Sequence, residues 1–230
     1  MLFVFPLIVS AILCAILAAL IWRRREAPGA LPLAFLNIGT SIWSLCYAIS
    51  LLYTTLEGQL FWINMTYVGI VMVPGSWLVF VLQYTGWGAF TRSKYMALLL
   101  IEPVLVLVFS WTNSYHGLFR SNSYLLVNSN SMSLQSTLGP IFWIHTIYSY
   151  GLMVASAVLI VRHIMRMQKV YRQQAAFALM GMLTPLFGNI IYLAGLFPFS
   201  EIDITPFVFS LSGLLLAWDL LRFRLSLIHI

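Results

Sequence analysis

The chain has 230 residues, of which 61% are hydrophobic and only 8% charged, with a mean hydropathy of +0.94. Soluble domains carry about 25% charged residues and about 45–50% apolar ones, so this composition excludes a soluble globular fold. The net charge of +6 does not indicate nucleic acid either, because the basic residues sit at the ends of apolar blocks and form no basic and aromatic groove pattern.

Those blocks are about twenty residues long, enough to cross roughly 30 Å of hydrocarbon as helix. Helix is required, because a spanning segment must satisfy its backbone polar groups internally. The first span is expected over Leu2–Trp22. It lacks a basic leading region and is followed by Arg23-Arg24-Arg25, the reverse of a cleavable signal peptide. Pro28, Gly29 and Pro32 introduce the second span, Leu33–Tyr53. The third is expected at Phe61–Gln83, the fourth at Tyr95–Trp111, the fifth at Ile141–Arg162, the sixth at Ala175–Phe197 and the seventh at Phe207–Leu221. Cys14 and Cys46 fall inside apolar blocks without a CxxC pattern and read as small buried hydrophobes.

Charge sets the orientation. With seven spans and the N-terminus outside, the inner segments hold Arg23, Arg24, Arg25, Arg92, Lys94, Arg162, Arg166, Lys169, Arg172, Arg222 and Arg224, and the outer segments hold only Arg120. Eleven of the 12 basic residues then lie on one side, as the positive-inside rule demands. The expected fold is an all-α, seven-transmembrane bundle, N-terminus out and C-terminus in. Its one long connection, Thr112–Pro140, is placed on the outer face. Within it, Tyr124–Val127 and Met132–Leu134 are expected to pair as a small β-hairpin across Asn128–Ser131, given their strand propensity and the Asn-rich turn. Long ordered loops on compact bundles tend to be functional.

Several polar residues inside or beside the spans are candidates for chemistry. Glu102 is the acidic residue deep inside a span, where a charge costs about 2.5–3.5 kcal/mol. It must face the bundle interior or be protonated, either as a ligand- or proton-sensing group or as a neutral carboxyl bonded to a neighbouring helix. His116 and His145 both lie toward the outside. No third ligand at metal-binding spacing accompanies them, so they read as hydrogen-bonded histidines shaping the outer mouth, with pH sensing open to them. Trp143, Tyr148, Tyr150, Tyr192, Phe197 and Phe199 cluster toward the outer half of the fifth and sixth spans. They form either an interfacial aromatic belt or the wall of a pocket with Asn189 and Thr184 as polar anchors. Pro185 and Gly188 interrupt the sixth span as a kink or hinge. Asp219 and Arg222 share a helix face three residues apart, as a local ion pair or as a latch toward Arg166, Lys169 and Arg172.

Other classes fail on specific absences. A retinal protein needs a lysine inside the last span, whereas Lys94 and Lys169 lie at the cytoplasmic edge. Secondary transporters show paired broken helices and several buried ionisable groups, where this chain has one of each.

Four elements, in order, carry a resemblance. Trp111-Thr112-Asn113-Ser114-Tyr115-His116-Gly117-Leu118-Phe119 follows the fourth span, and Gly139-Pro140-Ile141-Phe142-Trp143-Ile144-His145, running on to Tyr148 and Tyr150, opens the fifth. Arg172-Gln173-Gln174 with Pro185, Gly188-Asn189 and Tyr192 marks the sixth. Asp203-Ile204-Thr205-Pro206 with Phe209, Gly213 and Arg222-Phe223-Arg224-Leu225 marks the seventh. Together they resemble the N-terminal seven-transmembrane sensor region of bacterial and archaeal histidine kinases, also found ahead of diguanylate cyclase domains.

The resemblance spans residues 1–226 and implies a sensor domain in the inner membrane of a prokaryote, with 227–230 as the start of a linker toward a cytoplasmic output module. The catalytic module is not in this chain, so no enzymatic activity is expected of it, and no cofactor. The implied partners are the lipid bilayer, a small or apolar ligand and, with the output module attached, a second copy in a homodimer. The expected ligand site draws on Asn113, His116, Trp143, His145, Tyr148, Asn189, Tyr192 and Asp203, with Glu102 as the intramembrane polar group. Asp219, Arg222 and Arg224 are expected to pass the signal out. The competing expectation is a small transporter or permease subunit with Glu102 as its coupling group.

Overall fold

A computed structural model describes residues 4–92, 94–128, 131–166, 179–181, 183–191 and 205–213. Helix α1 (Val4–Trp22) buries Leu7, Ala11, Cys14, Ala18 and Ile21, three or four residues apart, and turns Phe5, Ile12, Ile16 and Leu20 outward. In water such an apolar outer face would be sticky. In a bilayer it meets lipid tails as apolar as itself.

Helix α2 (Ala30–Ser50) is the inner helix, 67% buried over its apolar window, and packs against α1, α3 and α4. Its interior polar groups bond back along the helix: Asn37 Nδ2 donates to the Leu33 carbonyl at 2.8 Å and Thr40 Oγ1 to that of Leu36 at 3.0 Å. Helix α3 (Leu56–Ile70) starts on Thr55, whose hydroxyl accepts the Gly58 N–H at 3.3 Å, with Glu57 favourably placed in the first turn. A Cβ on Gly69 would overlap the Gly39 carbonyl, so α2 and α3 cross at a separation only small residues permit. Helix α4 (Met72–Tyr84) continues α3 as one apolar run, Leu56–Tyr84.

The fourth expected span departs from a plain α-helix. Two 3₁₀ helices, Gly88–Arg92 and Lys94–Leu100, precede α5 (Ile101–Trp111). A 3₁₀ turn rises about 2.0 Å per residue against about 1.5 Å in an α-helix. Lys94–Trp111 thereby reaches about 30 Å, the thickness of the hydrocarbon core, from a short segment. A single turn, α6 (Asn113–His116), leads into β1 (Arg120–Asn128), which pairs antiparallel with β2 (Ser131–Leu138). Leu125 faces Leu134 and Val127 faces Met132 in the register, so the expected hairpin is present and longer at its base. Helix α7 (Pro140–Arg166) follows.

Among the described residues, four segments are long and apolar enough to cross a membrane: α1, α2, Leu56–Tyr84 and α7. Shorter apolar helices run over Met96–Trp111 and Leu179–Ile191, and residues 205–213 are helical, starting two residues ahead of the expected Phe207. The chain is a multi-pass membrane protein. Of the expected output residues, Asp219, Arg222 and Arg224 lie outside the described residues, as do the site residues Tyr192 and Asp203 and the aromatic Phe197 and Phe199.

The two ends of the bundle differ. At one end the turn after α1 docks on α4: the Gly29 N–H donates to Gln83 Oε1 at 2.8 Å, at a φ of 82° that suits glycine. Ala27, Leu33, Trp77, Val81 and Ile160 close a core there, beside Arg23–Arg25 and the α7 terminus with Arg162 and Arg166. At the other end the hairpin sits over a cavity.

Candidate functional site

The turn that carries the hairpin is built by the residues around α6. Asn113 Oδ1 accepts the N–H groups of Phe119 and Arg120 at 2.9 and 3.1 Å, and its Nδ2 donates to the Arg120 carbonyl at 2.8 Å. The Leu118 N–H donates to His116 Nδ1 at 2.9 Å, which leaves the ring proton on Nε2, 3.1 Å from Thr112 Oγ1. Gly117 closes the turn at a φ of 63°. The head of α7 then seats on the same backbone: the Gly139 N–H donates to the Phe119 carbonyl at 2.9 Å and the Ile141 N–H to that of Leu118 at 3.2 Å. A Cβ on Gly139 would overlap the Leu118 carbonyl, so only glycine fits. Two of the four sequence elements thus lock to each other and deliver Phe119 and Arg120 to the bundle interior.

Beneath them is a cavity of about 380 Å³, within the range of small-molecule sites. Of its apolar lining, Trp43, Val73, Met153 and Phe209 belong to one buried cluster. Its polar lining includes Gln59, Arg120, Gln135 and Ser136. Ser149 also lines it, its hydroxyl buried without a hydrogen-bond partner. Arg120 is only 5% exposed. Its guanidinium lies 5.6 Å from the Tyr67 ring centroid and 5.3 Å from that of Phe119, contacts worth about 2 kcal/mol when desolvated. Burial lowers the pKa of Arg120, with Tyr67 acting in the opposite direction, but guanidinium starts so high that it keeps its proton.

His145 and Asn189 line this cavity. His145 Nδ1 and Glu102 Oε1 share a hydrogen bond at 2.6 Å, joining α7 to the first turn of α5. The intramembrane carboxyl therefore acts on the cavity through a wall residue, and its other oxygen, Oε2, is buried without a partner. Asn189 is the middle of a relay: Tyr150 OH donates to its Oδ1 at 2.6 Å, and its Nδ2 donates to Thr205 Oγ1 at 3.0 Å. Thr205 opens the helical residues 205–213, so the relay joins α7 to the start of the last described helix. Ser10 supports the same junction by donating to the Pro206 carbonyl at 3.4 Å. Pro185 lines the cavity, and Gly188 gives room for Val208, which would stand 3.1 Å from an added Cβ.

Four expected site residues belong elsewhere. Asn113 and His116 spend their polar atoms on the hairpin turn. Trp143 is 47% exposed on the outer surface of α7, where an interfacial aromatic belongs. Tyr148 donates to the Leu99 carbonyl at 3.1 Å, fastening α7 to the 3₁₀ segment. Thr184, a suggested polar anchor, donates to the Met180 carbonyl along its own helix. Conversely, sequence reasoning passed over Trp43, Gln59, Tyr67 and Ser149. Arg120 carried a signal, as the lone basic residue expected on the outer side and the residue next to Phe119 in the first motif.

No curated protein matches the chain. The family described as the N-terminal 7TM region of histidine kinase matches residues 6–228. That match covers both halves of the cavity, the hairpin turn and the Tyr150–Asn189–Thr205 relay, and the chain belongs to this family of N-terminal histidine kinase membrane regions.

Proposed function

We propose that this chain is a membrane sensory input domain that binds a small ligand in the cavity under the hairpin and passes the change through its last helix to a cytoplasmic output module, a histidine kinase or a diguanylate cyclase. The observation that carries the reading is the Tyr150–Asn189–Thr205 relay. It makes a cavity-lining residue the hydrogen-bond partner of the residue that opens the last described helix, so a ligand that repositions α7 or Asn189 acts directly on that helix. A ligand shifts such a two-state bundle only by its differential affinity for the two states, about 1.4 kcal/mol for a tenfold preference. The domain spans residues 1–226 as seven helices in the inner membrane of a prokaryote, N-terminus out. The gathering of Arg23–Arg25, Arg162 and Arg166 away from the hairpin favours that orientation. Asp203 takes part in ligand binding, and Asp219, Arg222 and Arg224 carry the signal out to a dimeric output module.

The test is a thermal-shift screen of small molecules on the protein in lipid nanodiscs. A cavity ligand loses its stabilising effect when Ser149→Trp fills the space and when Asn189→Ala cuts the relay. A ligand that survives both substitutions places the sensory site elsewhere. Proton-coupled uptake into liposomes that vanishes in Glu102→Gln would instead establish a transporter.

A further inference from the structure

We propose that the cavity selects an anion: a small amphiphile whose carboxylate pairs with Arg120 and whose apolar body lies against Trp43, Val73, Met153 and Phe209. This rests on the reading that the cavity takes a ligand, and adds the chemical class. Arg120 Nη2 is buried and has no hydrogen-bond partner. Neither ion pair among the described residues involves Arg120. No acidic residue is among the described residues lining the cavity, and Arg120 is the one permanently charged side chain among them. A buried cation is costly unless paired, and ring faces offset only part of that cost.

The position of Arg120 is also built with care. Asn113 grips both its N–H and its carbonyl, and the bulge between Ser121 and Tyr124, with Asn122 at a φ of 48°, bends the strand just beyond it. A chain that wanted only a hydrophobic plug beside Phe119 has no use for a guanidinium held there. A guanidinium presents its donors as a planar fork, which matches the two oxygens of a carboxylate. Gln59, Gln135 and Ser136 line the cavity with Arg120, and so does the buried apolar cluster of Trp43, Val73, Met153 and Phe209. One charge and a hydrocarbon surface in the same cavity describe an amphiphilic monoanion. Its source is either a soluble aromatic acid or a fatty acid from the bilayer.

The experiment uses the whole chain in phosphatidylcholine nanodiscs with two matched probe pairs: indole-3-acetate with indole-3-acetamide, and decanoate with decanamide. Calorimetry should show at least one acid binding about tenfold more tightly than its amide, and the pair that does so identifies the source. Arg120→Gln should erase that preference, bringing the binding of the acid down to that of its amide, and Arg120→Lys should retain part of it. Equal binding of acids and amides, unaffected by Arg120→Gln yet blocked by Ser149→Trp, would overturn the anion assignment and leave the cavity reading intact. Absence of binding by all four probes, or binding indifferent to Ser149→Trp, would remove the cavity reading and this inference with it. A stability coupling between Arg120→Gln and Asp203→Asn in a double-mutant cycle would identify an internal counter-ion and also overturn the proposal.

Discussion

The end of the bundle beneath the basic turns and the end beneath the hairpin solve opposite problems with the same helices. At the first, Leu33, Leu36, Trp77, Val81 and Ile160 are fully or almost fully buried and close on one another. At the second, the continuation of α2, α3 and α7 leaves an open cavity and strands polar atoms on Arg120 and Ser149. The packed end is not free of such atoms, since Trp77 Nε1 also lacks a partner. Lipid gives no hydrophobic drive to helix association, so packing and interhelical hydrogen bonds carry the stability. An end that gives up packing must be held by hydrogen bonds instead, and the clamp at Asn113, the Glu102–His145 bond and the Asn189 relay are those bonds. Rigidity at one end and replaceable contacts at the other suit the proposed response to a small molecule.

The comparison can be broken most sharply where the hairpin end depends on shape. Gly139→Ala should cost about 3 kcal/mol in chemical unfolding in micelles, because its Cβ meets the Leu118 backbone. Gly151→Ala, on the same helix with nothing within 4 Å of an added Cβ, should instead gain up to about 1 kcal/mol. Equal tolerance at both glycines would mean that the seating of α7 on the turn is not needed. Truncation sharpens the contrast next: Leu33→Ala in the packed core should cost about 3 kcal/mol and Leu186→Ala at the cavity wall about 1 kcal/mol. Matching losses in the two variants would erase the distinction between the ends. The smallest effect is polar. Glu102→Ala should cost about 1–2 kcal/mol and Glu102→Gln about half of that, since the amide still shares a hydrogen bond with His145. A Gln variant as unstable as the Ala variant would show that the charge, rather than the hydrogen bond, holds α5 to α7.

Much of the architecture is readable along the chain because its signals are local. Apolar run length marks α1, α2, Leu56–Tyr84 and α7, and the Asn-rich turn flanked by strand formers marks the hairpin. The 3₁₀ entry to α5 was not readable, because its residues are as apolar as any α-helical span and the backbone choice answers to the distance to be crossed. Trp43, Gln59 and Tyr67 were missed for a related reason. In a soluble helix the polar face reveals the buried one, whereas in a span both faces are apolar and the sequence period does not say which one turns inward. Asn113 and His116 were recognised as important and assigned to a ligand. They carry structural bonds that place Arg120, so the motif was legible while its role was not.

By itself the sequence determined that this is a helical multi-pass membrane protein, which connection folds into a hairpin, and which family it belongs to. All of these follow from composition, run length and short motifs, quantities that neighbouring residues set together. Only the tertiary structure decided that Glu102 meets His145 from 43 positions away, that Tyr150 and Thr205 share Asn189, and that the lone arginine beside the hairpin is buried over a cavity. Those pairings depend on how the spans rotate and cross. Inside a bilayer that choice rests on small residues such as Gly39, Gly69 and Gly139 and on a few hydrogen bonds, with no amphipathic pattern to announce it.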